Sequence, residues 1–186
     1  LIVPRFAINA SSAAIDAPGK IESDLVMLAE QRKLGDGHNA ADPAFEQLQA
    51  QVLEQYGVDT IEDLPINWRG VVAGYSEAEL TNLLNRFAEK RMALEAGQSR
   101  LFDLFGFASP TIAIASSSRT LAGTDLATHH RFLRESEALR FDFVQALNQA
   151  HATDLDYTID MNRNNDADAA MAARINAESW RVLDEF

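Results

Sequence analysis

Five oxygen-bearing side chains recur at every second position late in the chain: Asp160, Asn162, Asn164, Asp166 and Asp168. They fall at positions 1, 3, 5, 7 and 9 of an EF-hand-like loop, a spacing that presents oxygens to calcium. Two departures count against that chemistry. Position 6 is Asn165 rather than glycine, and position 12 is Met171 rather than the bidentate glutamate. The segment therefore reads as a solvated polar loop, with a weak calcium site as the alternative.

A second cluster is Asp125, His129 and His130. Adjacent residues on a helix point about 100° apart, so the two histidines do not readily ligate one metal, and packing or capping is the plainer reading. Arg91 and Gln98 are a third candidate, because both interrupt an apolar seam between Leu84 and Phe105. They either pair inside a bundle or line a cleft. His38 and His151 stand singly and point to nothing, and Asn9-Ala10-Ser11 is a glycosylation tripeptide of a kind common by chance.

Other chemistries are excluded. Gly35-Asp36-Gly37-His38 lacks the Gly-Lys-Ser/Thr ending that cradles phosphates, so the chain encodes no ATPase. It has no Gly-x-Ser-x-Gly elbow and no His-Glu-x-x-His helix, and no enzyme or cofactor is expected. Cysteine is absent, which removes thiol nucleophiles, disulfides and thiolate zinc sites. With 28 acidic against 16 basic residues the formal charge is −12, a field that repels nucleic acid and anionic lipid.

The elements that must position these residues are helical. At 186 residues and 47% hydrophobic, the chain fits one domain spanning 1–186 with ample material for a core. Ser76-Glu77-Ala78-Glu79 reads as a capping box that opens a long helix. Leu80, Phe87, Leu94 and Leu101 repeat along it every seven residues, until Gly106 stops the run. A second long helix, capped by Thr124 after Gly123, runs to about His151 and packs antiparallel to the first. Ser109-Pro110 opens a short helix whose lack of charge as far as Ser118 predicts burial.

Upstream, Asp42-Pro43 starts a helix carrying Phe45, Leu48, Val52 and Tyr56, closed by Gly57. Residues 5–33 read as helical with a break at Pro18-Gly19. Residues 57–75, with Pro65, Gly70 and Gly74, read as a connection with at most one short helical turn around Trp68, and Asp154 to Asp160 alternates as an extended tail. The fold class expected is all-α: an elongated helical bundle with two long antiparallel helices and an irregular C-terminal segment.

The stretch Ser109-Pro110 followed by Ser116 to Leu133 resembles the DUF3526 family of bacterial ABC-2-type permeases, grouped with permeases of multicopper-enzyme maturation. Its specific part is Leu121-Ala122-Gly123-Thr124-Asp125, then His129, His130 and Phe132, continuing through Glu137, Arg140, Val144, Leu147 and Asn148. Asp36-Gly37-His38-Asn39, Asp42-Pro43, Val52-Leu53, Tyr56-Gly57-Val58 and Glu62-Asp63-Leu64-Pro65 extend the likeness upstream.

The resemblance implies a domain excised from between membrane helices of a larger permease, on the periplasmic side of the inner membrane. Its partners would be the membrane spans of its own parent chain, a separate cytoplasmic ATPase subunit, and a second copy in a homodimer. Asp125, His129 and His130, with Arg91 and Gln98, are then the candidates for substrate or partner contact. The opening Leu1-Ile2-Val3-Pro4 is either the end of a removed membrane span or a core-docking terminus. The alternative function is a free-standing acidic module that binds a solute or metal.

Overall fold

The computed structural model describes residues 5, 6, 9, 10, 13, 18–157, 160, 177 and 181. Among them there is no strand, and the chain is all-α. The elements are α1 (Lys20–Gln31), α2 (Glu46–Tyr56), α3 (Trp68–Leu104), α4 (Pro110–Leu121) and α5 (Leu126–Asp154), with single 3-10 turns at Pro43–Phe45, Ile61–Asp63 and Phe105–Phe107. The chain divides into two compact units, one of residues 1–28 and 83–138, the other of residues 29–82 and 139–186.

The second of these holds the main core. Phe45, Val52, Trp68 and Val72 are buried together, and Leu48, Ile61, Leu64, Ile66 and Tyr157 pack around them. Trp68 is fully buried, and its indole N–H donates to Ala40 O at 3.1 Å. Covering about 200 Å² of indole at ~25 cal/mol per Å² contributes about 5 kcal/mol, from which an unpartnered N–H would subtract about 1–3 kcal/mol.

The loop before α2 is built to present that carbonyl. Asp42 caps the Pro43 turn by accepting from Ala44 N–H at 2.9 Å, and its other oxygen accepts from Asp36 N–H at 3.0 Å. Asp36 accepts from His38 N–H, and Asn39 from Ala41 N–H. The Asp36-Gly37-His38-Asn39 and Asp42-Pro43 motifs are thus a self-capping loop. Gly57 closes α2 at φ 66°, with Val58 N–H reaching back to Leu53 O, the left-handed cap that glycine adopts without strain.

Several sequence expectations are corrected. Helix α3 begins at Trp68, eight residues before Ser76, and is 37 residues or about 55 Å long. Ser76 lies inside it, its Oγ buried with no hydrogen-bond partner among the described residues, so it forms no capping box with Glu79, and Glu77 accepts from Arg140 Nη1 at 2.7 Å. Gly70 and Gly74 are not breakers but points of close approach to α5. A Cβ on Gly70 would lie 2.6 Å from Ala152 Cα, whereas one on Gly74 meets nothing nearer than Gln145 Oε1 at 3.4 Å. Within this unit the pairs Gly70 with Ala152, Gly74 with Gln145 and Glu77 with Arg140 run in opposite sense along α3 and α5, so the helices are antiparallel there.

The cap of α5 is Asp125 rather than Thr124: its Oδ1 accepts from Thr128 N–H at 2.7 Å, because only the residue three before Thr128 reaches that amide. The tail is not extended where it is described. Asp160 N–H donates to Asp156 O at 2.9 Å, and Tyr157 and Asp160 share an inward face at helical spacing.

In the first unit Leu83, Met92 and Ile112 are buried, and Phe6 meets Phe105 edge to face at 5.9 Å. Helix α4 contradicts the expected burial: only Ile112 is buried, while Ile114 is 67% and Leu121 89% exposed. Absence of charge had two physical meanings, a buried helix or an unpartnered apolar surface, and the second holds.

The two helix glycines give a paired prediction. Gly70→Ala should lower stability by about 1–3 kcal/mol, since Ala152 backbone cannot move aside. Gly74→Ala should be neutral or stabilising by up to about 1 kcal/mol from helix propensity. Urea midpoints of the two variants check this, and equal losses would show that the close approach is not at Gly70.

Candidate functional site

The polar residues fall into two groups, one in each unit. In the second unit the centre is Asp160, whose side chain is wholly buried. Asn67, also buried, donates from Nδ2 to Asp160 Oδ2 at 3.2 Å, and His151 Nε2 lies 2.8 Å from the same oxygen. Arg69 Nε is 3.6 Å away. Asn67 also accepts from Arg69 N–H at 3.0 Å, which makes it the cap of α3, and donates its own N–H to Ala152 O at 2.7 Å.

Burial pushes the Asp160 carboxyl up, but the hydrogen bonds from His151 and Asn67 and the charges of His151 and Arg69 outweigh it and hold it below the usual value. The group is a carboxylate clamped by three residues from two elements, Asn67 and Arg69 at the start of α3 and His151 on α5. Its geometry ties the residues after α5 to the start of α3, and His151 with Arg69, each about a quarter exposed, are its faces toward solvent.

Beside it, within the same unit, lies a cavity of about 300 Å³ lined by Tyr56, Tyr75, Gln145, Asn148, Gln149 and the helix glycines among others. Sequence reasoning named Asp160 for a different chemistry and passed over Asn67, Arg69 and His151. An asparagine directly before Trp68 is a helix-start signal that could have found Asn67. The other members of the calcium spacing, Asn162, Asn164, Asp166 and Asp168, lie outside the described residues. Among the described residues no group of three or more His, Asp or Glu could hold a metal ion.

In the first unit the histidine pair is divided. His129 is exposed, while His130 is buried and its Nε2 lies 3.0 Å from Glu95 Oε2. Glu95 Oε1 accepts from Arg91 Nε at 3.2 Å. The His130 hydrogen bond holds the Glu95 carboxyl below its usual value against the opposing effect of burial, with Arg91 adding to the lowering. One helical turn along, Arg134 grips Glu89 through two bonds of 2.6 and 2.8 Å.

Asp125 is engaged as a cap, and its carboxyl is lowered chiefly by the Thr128 N–H. Arg91 is exposed and Gln98 half-buried. Of the five contact candidates, Arg91 and His130 are brought together, through Glu95, which the sequence did not single out. Asp125 caps α5, the His129 ring lies 6.3 Å from that of His130, and the Arg91–Glu95–His130 arrangement links two helices.

The Asp160 clamp predicts a pH dependence. Because folding lowers its pKa, its contribution is complete at neutral pH and is lost as pH falls through the folded value, below about 3.8. Asp160→Asn should cost about 3 kcal/mol at pH 7 and show a shallower loss of stability on acidification than the parent chain. Melting temperatures from pH 7 to about pH 3 test it. Parallel curves would mean that the carboxylate charge is not what the clamp uses.

No curated protein and no solved structure matches the chain. A family model described as a domain of unknown function, DUF3526, matches residues 24–186, which takes in α3 to α5 and both polar clusters. The chain belongs to the DUF3526 family.

Proposed function

We propose that the chain is the extracytoplasmic domain of the permease subunit of an ABC-type exporter, that it contacts the cargo or a partner subunit, and that it is not itself an enzyme. The observation that carries this reading is the apolar surface of the first unit. Phe107 is 94% exposed, and Leu121, Ile114, Leu104 and Phe132 are exposed on neighbouring segments. The stretch from Pro110 to Ser118 beside them has no charged residue. Surface of that kind in a chain of net charge −12 suits contact with other protein.

Membership of the family supports the resemblance to ABC-2-type permeases, and the two polar clusters support a scaffold rather than a reaction centre. No helix among the described residues is long and apolar enough to cross a membrane. The proposal therefore assigns membrane crossing to other parts of the parent chain and ATP hydrolysis to a separate cytoplasmic subunit. Pairing with a second copy of the chain is compatible with the same surface.

The absence of cysteine gives a direct test. In the full parent protein, with any cysteine outside these 186 residues replaced, Phe107→Cys should react in intact cells with a maleimide that passes the outer but not the inner membrane. Labelling only after lysis would place the domain in the cytoplasm and overturn the proposal. The parent gene should also encode apolar spans of about 20 residues flanking the domain.

A further inference from the structure

The cavity of the second unit has a lining unlike the rest of the surface. The chain is rich in carboxylates, yet no charged side chain lines this cavity. Its polar side chains are the amides of Gln145, Asn148 and Gln149, together with the hydroxyls of Tyr56, Tyr75 and Thr153. A charged ligand entering it would lose hydration without gaining an opposite charge, which is costly. An uncharged ligand with many hydroxyls would not, because each amide offers both donors and an acceptor and each hydroxyl can answer either.

The site is held in shape. Gln145 Nε2 donates to Gly74 O at 3.0 Å, which fixes that amide and leaves its oxygen as an acceptor. The Tyr75 ring meets the buried Phe45 ring edge to face at 6.3 Å, so its orientation is set by the core. Asn148 is half-buried and its amide makes no hydrogen bond among the described residues. Gly70 and Gly74 are also in the wall; Gly70 admits the α5 backbone at Ala152, and a Cβ on Gly74 would face Gln145 Oε1 at 3.4 Å and Asn148 Cβ at 3.6 Å. A volume of about 300 Å³ is at the small end of ligand sites.

We propose that this cavity binds a small uncharged polyhydroxylated ligand of the size of a single sugar ring. The ring hydroxyls meet Gln145, Asn148 and Gln149, and the less polar ring face lies toward the tyrosines. The assignment rests on the cavity alone and is independent of where the domain sits relative to a membrane.

The test is a titration of the 186-residue chain, followed by amide chemical shifts, with glucose, galactose and N-acetylglucosamine at millimolar concentrations. Acetate and tetramethylammonium serve as charged counterparts. At least one sugar should shift residues of the cavity wall saturably, and the charged probes should not. Asn148→Ala and Gln149→Ala should each weaken that binding about tenfold while leaving the remaining spectrum unchanged. The proposal is overturned if none of the three sugars produces saturable shifts, if a charged probe occupies the same wall instead, or if both variants bind as the parent does.

Discussion

Asn67 is the residue on which the second unit depends. With one buried side chain and its own backbone it caps α3 through Arg69, grips Asp160, and donates to the carbonyl of Ala152 near the end of α5. These contacts fix where α3 begins. That start sets the register by which Trp68 enters the core and Gly70 meets Ala152. A helix beginning a residue later would turn Trp68 away from Ala40 and bring a side chain against the α5 backbone.

Helical content was legible from periodicity, because α2, α3 and α5 each carry apolar residues at helical spacing. Their starts were less so. Gly70 and Gly74 act as breakers in an isolated chain and as contact points once another helix lies against them, and only the tertiary structure distinguishes the two. The capping-box pattern at Ser76 failed for a related reason. The helix already runs from Trp68, so the amides that Ser76 and Glu79 would cap lie inside it, and Glu77 meets Arg140 of α5 and Thr81 of its own helix. Helix α4 shows the limit of composition, since lack of charge marks an apolar helix without saying whether anything covers it.

The polar sites were legible only in part. Asp125, His129 and His130 attract attention as neighbours in sequence, yet the fold uses them separately: one as a cap, one exposed, one buried against Glu95. Asn67 and Asp160 are 93 residues apart, and no spacing rule connects them. Local patterns register what a helix does for its own backbone. They do not register which carboxylate a histidine finds on a different helix.

The distribution of burial carries a consequence for motion. The second unit has Phe45, Val52, Trp68 and Val72 in one cluster, with Asn67 and Asp160 buried beside it. In the first unit the buried apolar residues among those described are Leu83, Met92 and Ile112, and much of its polar linkage is at the surface. Local opening follows contact density, so backbone amides of α4 and the adjoining 3-10 turn should exchange with solvent through small fluctuations, while those around Trp68 wait for global unfolding. Among the described residues, the unit that exposes the most apolar surface is then also the one freest to remodel around whatever it meets.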